Sequence, residues 1–184
     1  MQLRRKRSVL PFLVGALIAL ALLPGCSPAG PEASGDFLPA VVTRCVDGDT
    51  VYVTLAGRTE KVRFIGINTP ELRHPEKGAE PFGREAAAYT RSRLLGKRVY
   101  LEMDVQERDK YGRLLVYVWL SPPESRTEAE VRQKMFNAEL LLNGYAQVLT
   151  IPPNVRYADM FVRLQREARA AQKGLWGGQS NSGH

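Results

Sequence analysis

Val46-Asp47-Gly48-Asp49-Thr50 places two carboxylates at one turn between runs of strand-forming residues. Arg63 lies in the next such run, which ends at Asn68-Thr69-Pro70-Glu71. Asp109-Lys110-Tyr111-Gly112-Arg113 gathers basic and aromatic side chains at a later turn. Together these segments offer oxygen ligands for a hard cation, a further carboxylate and two arginines. Each has a plainer reading alone. Asp-Gly is a common hairpin dipeptide, Arg63 suits an exposed strand position, Glu71 suits a solvated loop, and residues 109–113 suit a charged turn, Lys110 most readily of all. The combination carries the signal, not any one member.

The surrounding pattern says what must hold these residues in place. Strands are predicted over residues 40–46, 50–55, 61–67, 99–105 and 114–120, from β-branched and aromatic enrichment and, at 99–105, from alternation of Val99, Leu101, Met103 and Val105 against polar neighbours. Residues 68–83 hold three prolines and two glycines and read as an irregular loop. Helices are predicted over 85–95, 137–143 with Asn137 as N-cap and Gly144 as stop, and 158–172 with Phe161, Leu164 and Ala168 inward. Residues 121–130 read as a long exposed hairpin or insertion, and Leu175-Trp176 as a return onto the core. The expectation is a mainly β, α+β fold: a five-stranded closed barrel of OB type flanked by about three helices.

Composition bounds the function classes. At 44% hydrophobic and 24% charged the 184 residues are globular, and two cysteines exclude a disulfide scaffold or a Cys-rich zinc site. The formal charge of +7 suggests an acidic partner, but Arg4, Arg5, Lys6 and Arg7 supply four of those units. Behind them runs an uncharged apolar stretch over 9–23, which as a helix spans about 22 Å, short of the ~30 Å hydrocarbon core. That arrangement reads as a secretory signal. Leu23-Pro24-Gly25-Cys26 resembles a bacterial lipobox, with Pro24 a departure, and implies cleavage before Cys26 and a lipid on its thiol. The expected organisation is a signal peptide of lipoprotein type over 1–25, a Pro/Gly/Ser tether over 26–38, one domain over 39–177 and a disordered tail over 178–184. An extracytoplasmic location follows, at a membrane or cell surface through Cys26, with ordinary secretion as the alternative.

From about 39 to 176 the chain resembles the thermonuclease family, the staphylococcal nuclease-like phosphodiesterases. The DGDT, Arg63, TPE and DKYGR segments occur in family order, and His74-Pro75-Glu76-Lys77-Gly78 and Gly83-Arg84-Glu85-Ala86 match as well. The resemblance implies an OB-fold barrel of that type, and a calcium-dependent nuclease that cleaves the 5′ P–O bond of DNA and/or RNA and leaves 3′-phosphate ends. It implies Asp49, the Asn68 side chain and the Thr69 carbonyl as Ca²⁺ ligands, and Glu71 as general base. Arg63 and Arg113 would stabilise the phosphoryl transition state, while Lys77, Lys110 and Tyr111 would contact neighbouring phosphates. A monomer is expected. Asn68 stands where the best-known member has aspartate, which removes a charge from the cation site. Residues 147–152 lack the tyrosines that stack on the substrate base, a role for which Tyr157 is the nearest substitute. Tyr89, Tyr117 and Trp119 are expected in the core or on the barrel surface, and His74 as a loop residue. The alternatives are a weakened nucleic-acid-binding module, or a surface lipoprotein that uses the fold for other contacts.

Overall fold

The computed structural model describes residues 35–72, 78 and 80–177. The expected signal peptide, Cys26 and the tether up to residue 34, His74, Lys77 and the tail over 178–184 lie outside the described residues. In chain order the elements are β1 (Leu38–Cys45), β2 (Thr50–Leu55), β3 (Arg58–Phe64), β4 (Gly66–Asn68), α1 (Gly83–Leu94), β5 (Arg98–Glu102), β6 (Leu114–Trp119), α2 (Glu128–Lys134), α3 (Phe136–Leu142), β7 (Gln147–Leu149) and α4 (Ala158–Ala170). A short 3₁₀ turn, Gly174–Trp176, follows.

β1, β2, β3, β6 and β5 close into a barrel, with β3 and β6 parallel and the other pairs antiparallel. Alternation sends Val51, Val53, Val62, Phe64, Val99 and Leu101 inward, all of them buried. β6 is nearly all apolar because α3 and α4 cover its outer side: Tyr117 and Trp119 are buried against Tyr157 and Phe161. On α4, Phe161, Leu164 and Ala168 face the core as their helical spacing predicts. Phe37 is also buried, edge-on to Trp119 at 5.7 Å, so packing reaches two residues upstream of the expected start at 39.

Four local readings are corrected. The run over 61–67 is not one strand: it breaks at Gly66, which takes φ 78°, and the chain leaves the barrel to pair β4 with β7. A Cβ on Gly66 would meet the Phe161 ring at 2.7 Å, so this corner needs glycine for both its conformation and its packing. The strand over 99–105 stops at Glu102, leaving Val105 72% exposed and Glu102 buried. Glu102 is held there by Trp119 Nε1, Tyr157 OH, Arg126 Nε and Arg156 Nη1, all within 2.9 Å. The insertion over 121–130 carries a fourth helix, α2. Thr127 caps it by accepting from Glu130 N–H, and Arg132–Glu128 and Lys134–Glu130 pairs support it. Asn137 is not an N-cap. It is fully buried in the first turn of α3, accepts from Val118 N–H and donates to the Ile65 carbonyl, both at 2.9 Å.

Candidate active site

The β1–β2 turn lies beside the end of β3 because Thr50 pairs with Arg63. Within that turn the two aspartates divide their work. Asp47 Oδ1 accepts from Asp49 N–H at 3.1 Å and so shapes the turn. Asp49 points inward and is only 4% exposed. Its Oδ2 accepts from Thr69 N–H at 2.8 Å and stands 3.0 Å from Arg63 Nη2, and its Oδ1 accepts from Thr50 Oγ1 at 3.2 Å. Gly48 permits this closeness, since a Cβ there would meet the Thr69 side chain at 2.7 Å. From behind, Thr90 on α1 donates its buried hydroxyl to the Gly48 carbonyl at 2.7 Å.

Arg63 is the hub of the corner. Nη1 donates to the carbonyls of Phe64 (2.9 Å) and Ile67 (3.0 Å), and Nη2 donates to Asn68 Oδ1 (2.9 Å) while pairing with Asp49. Four of its five N–H groups therefore point at protein oxygens. The Asp49 and Asn68 oxygens sit within 3.0 Å of one nitrogen, which places both about a single positive charge. Burial pushes the Asp49 carboxyl up to about 7, against the pull of Arg63 and the Thr69 N–H in the other direction.

The β5–β6 loop supplies the opposite wall. Asp109 organises it: Oδ1 accepts from the N–H groups of Tyr111 and Arg113 at 2.9 Å, and Oδ2 accepts from Arg113 Nε at 2.6 Å. Arg113 lies 5.5 Å from the Tyr111 ring centre and Lys110 Nζ 5.0 Å from it, with Tyr111 and Lys110 exposed. Arg63, Lys110, Tyr111 and Arg113 line one cavity of about 420 Å³, together with Leu149 and Ile151.

Glu71 is exposed and is not part of that lining. Its backbone is fixed: its N–H donates to Glu80 Oε2, its carbonyl accepts from Glu80 N–H, both at 2.9 Å, and a Cβ on Gly83 would meet that carbonyl at 2.6 Å. The structure thus brings Asp49, Arg63, Asn68 and Thr69 into direct contact and sets Arg63 and Arg113 around one space. Tyr157 does not replace the missing stacking tyrosines, because it is buried with its hydroxyl on Glu102. Thr90 and Asp109 are positioning residues that motif reading passes over. Asp109 stands inside a recognised segment, whereas nothing in the sequence marks Thr90.

The family model for staphylococcal nuclease homologues matches residues 61–178. The chain is also 38% identical to a thermonuclease of Staphylococcus intermedius, over 74% of each chain. The chain belongs to the staphylococcal nuclease family. Two further relatives of this nuclease homologue are a thermonuclease of Staphylococcus hyicus, 36% identical over 73% of each chain, and endonuclease YncB of Bacillus subtilis, 33% identical over 77% of this chain and 61% of that protein. The five-stranded barrel with helices packed on it is the architecture expected of the family.

Among the described residues, no three His, Cys, Asp or Glu side chains gather in one place. Asp49 is the one carboxylate among the contacts of this corner, beside the neutral Asn68 amide oxygen. The donor set fits a hard cation: all its atoms are oxygen, one is ionisable, and two already share a positive charge.

Proposed function

We propose that this nuclease homologue hydrolyses phosphodiester bonds of DNA and/or RNA in a calcium-dependent reaction that leaves 3′-phosphate ends. The relatives support a nuclease. The observation that carries the finer reading is the placement of Arg63 and Arg113 on one cavity, with buried Asp49 in contact with Arg63. Asp49, the Asn68 amide oxygen and the Thr69 carbonyl would hold Ca²⁺, which supplies polarisation of a phosphoryl oxygen when bound.

The chain's own residues do the rest. Arg113, aimed by Asp109, grips phosphate oxygens from one wall, and Arg63 faces it from the other. Both gain strength as negative charge accumulates on the equatorial oxygens of the pentacoordinate phosphate. Glu71 takes a proton from the attacking water, the new P–O bond forms, and the bond to the 5′ oxygen breaks, that oxygen taking a proton from solvent to leave as the 5′-hydroxyl. Lys110 and Tyr111 hold adjacent phosphates, and Lys77 is proposed for the same role. Anchoring outside the cytoplasm through acylated Cys26 belongs to the same proposal and is supported by the lipobox-like segment.

One observation favours a second reading, a binding module with little turnover: Asn68 is neutral, and Arg63 directs four N–H groups at the protein. Cleavage of a labelled oligonucleotide separates the two. The nuclease requires Ca²⁺, stops with a chelator, and falls by about two orders of magnitude or more in Glu71→Gln and Arg113→Ala. Undiminished cleavage by Glu71→Gln would remove the proposed base. Salt-sensitive binding without cleavage at any Ca²⁺ level would establish the binding module.

A further inference from the structure

The outer face of β1–β2–β3 carries two cations set against one aromatic ring. Strand register sets Arg44 opposite Tyr52 and Tyr52 opposite Lys61, which makes one row across three strands. The Arg44 guanidinium lies 4.1 Å from the centre of the Tyr52 ring and Lys61 Nζ 5.9 Å from it. Neither cation has a carboxylate partner among the described residues. Arg93, Arg108, Arg126, Arg132, Arg156 and Arg163 are paired with acids, so what sets Arg44 and Lys61 apart from the other unpaired cations is their place in one row that leads to Arg63. The three strands contain one acidic residue, Glu60, and Arg108 occupies it. Beside this row Thr54 pairs with Thr59, both exposed, and Thr43 next to Arg44 donates its hydroxyl to the Tyr52 carbonyl at 3.2 Å.

This row is continuous with the cavity. Lys61 and Arg63 are two residues apart on β3, so their side chains leave the same side of the strand about 7 Å apart. That separation is comparable to the distance between successive phosphates of an extended strand. Arg44 lies two strands further on, about 10 Å from Lys61.

We infer that Lys61, Tyr52 and Arg44 form an extension of the substrate track, which carries the phosphates of a single nucleic-acid strand away from Arg63 across the barrel. The inference rests on the nuclease reading and adds the direction of the bound strand and a length dependence. Unpaired cations beside an exposed polar surface suit a polyanion, and the aromatic ring holds them ready without neutralising them. An anionic lipid surface is the competing occupant. The face favours nucleic acid because Val41 is its one exposed large apolar side chain, which leaves little to insert into a bilayer.

The test uses the full chain and Lys61→Gln/Arg44→Gln, with Lys61→Glu as a second variant that leaves Arg44 on Tyr52. Binding of single-stranded oligonucleotides of about 2 and about 12 nucleotides is measured by anisotropy in chelator, over a range of salt. The longer strand should bind the double variant roughly tenfold more weakly, with a salt slope smaller by about one for each cation removed. The short strand should bind both proteins equally. Equal affinity and slope for the long strand overturn the inference while leaving the nuclease reading intact. A wild-type protein that neither binds nor cleaves any oligonucleotide overturns the nuclease reading itself. If the variants lose binding to phosphatidylserine vesicles but keep binding to the long strand, the face is a membrane surface.

Discussion

Replacing Thr90 by valine tests whether the β1–β2 turn is held from behind by one hydrogen bond. Valine has the shape of threonine, so the change opens no cavity, and α1 keeps its packing. What disappears is the donor to the Gly48 carbonyl at 2.7 Å, in a place where both residues are buried. Leaving a buried acceptor without its donor costs about 1–3 kcal/mol. For a chain of this size each kcal/mol moves Tm by about 2–4 °C, so a cost near 2 kcal/mol lowers Tm by about 4–8 °C. The same loosening reaches Asp49 next in sequence, whose oxygens accept from Thr69 and Thr50 at fixed distances. Calcium affinity should therefore fall by several-fold up to about tenfold, the latter equal to about 1.4 kcal/mol. The measurements are thermal unfolding by circular dichroism and Ca²⁺ titration by calorimetry, on Thr90→Val and Thr90→Ser. Serine keeps the hydroxyl and should restore most of the calcium affinity. A valine variant with the wild-type Tm refutes the hydrogen-bond account. Valine and serine variants that fail equally point instead to the shape of the methyl group.

Asn68→Asp adds a second carboxylate beside Asp49 and should raise Ca²⁺ affinity by about tenfold in a calorimetric titration; unchanged affinity would exclude residue 68 as a ligand. Burial pushes the Glu139 carboxyl up, but hydrogen bonds from Arg93 and Tyr89 outweigh it and hold it below the usual glutamate range. Because the folded form holds its proton less tightly, this stabilisation is present above the unfolded value of 4.5 and fades as pH falls through the folded one. Glu139→Gln should flatten that acid limb in urea midpoints measured against pH, and a parallel curve would contradict the sign. Mass spectrometry of the membrane fraction should find acylated Cys26 at a mature N-terminus, whereas an unmodified terminus elsewhere would remove the anchor.

Much of the barrel was readable because each strand carries its own evidence. Val51 and Val53, or Val99 and Leu101, alternate whatever they pack against. Over 99–105 alternation puts Glu102 among the polar neighbours, and a carboxylate there reads as solvent-facing until Arg126, Arg156, Trp119 and Tyr157 arrive from distant segments to cover it. Asn137 failed for a related reason. A cap reading uses only neighbours in sequence, whereas its partners are 19 and 72 residues away. α2 had its local signal in Thr127 and Glu130, but buries only Val131, too little apolar pattern to stand out from the prolines before it.

At the site the division is sharper. Sequence alone determined which side chains are present: Asp49, Arg63, Asn68, Thr69, Glu71 and Arg113, in an order that marks the family, and a neutral amide where a second carboxylate was expected. Those are properties of composition and spacing, and no fold is needed to count them. Tertiary structure decided how they are engaged. Arg63 turns back onto four protein oxygens, Asp49 is buried far enough to raise its pKa, and Glu71 is exposed with its backbone held by Glu80. It also left Arg44 and Lys61 on an aromatic ring without acids. Burial, distance and the pairing of charges depend on which strands become neighbours, and closure of the barrel sets that.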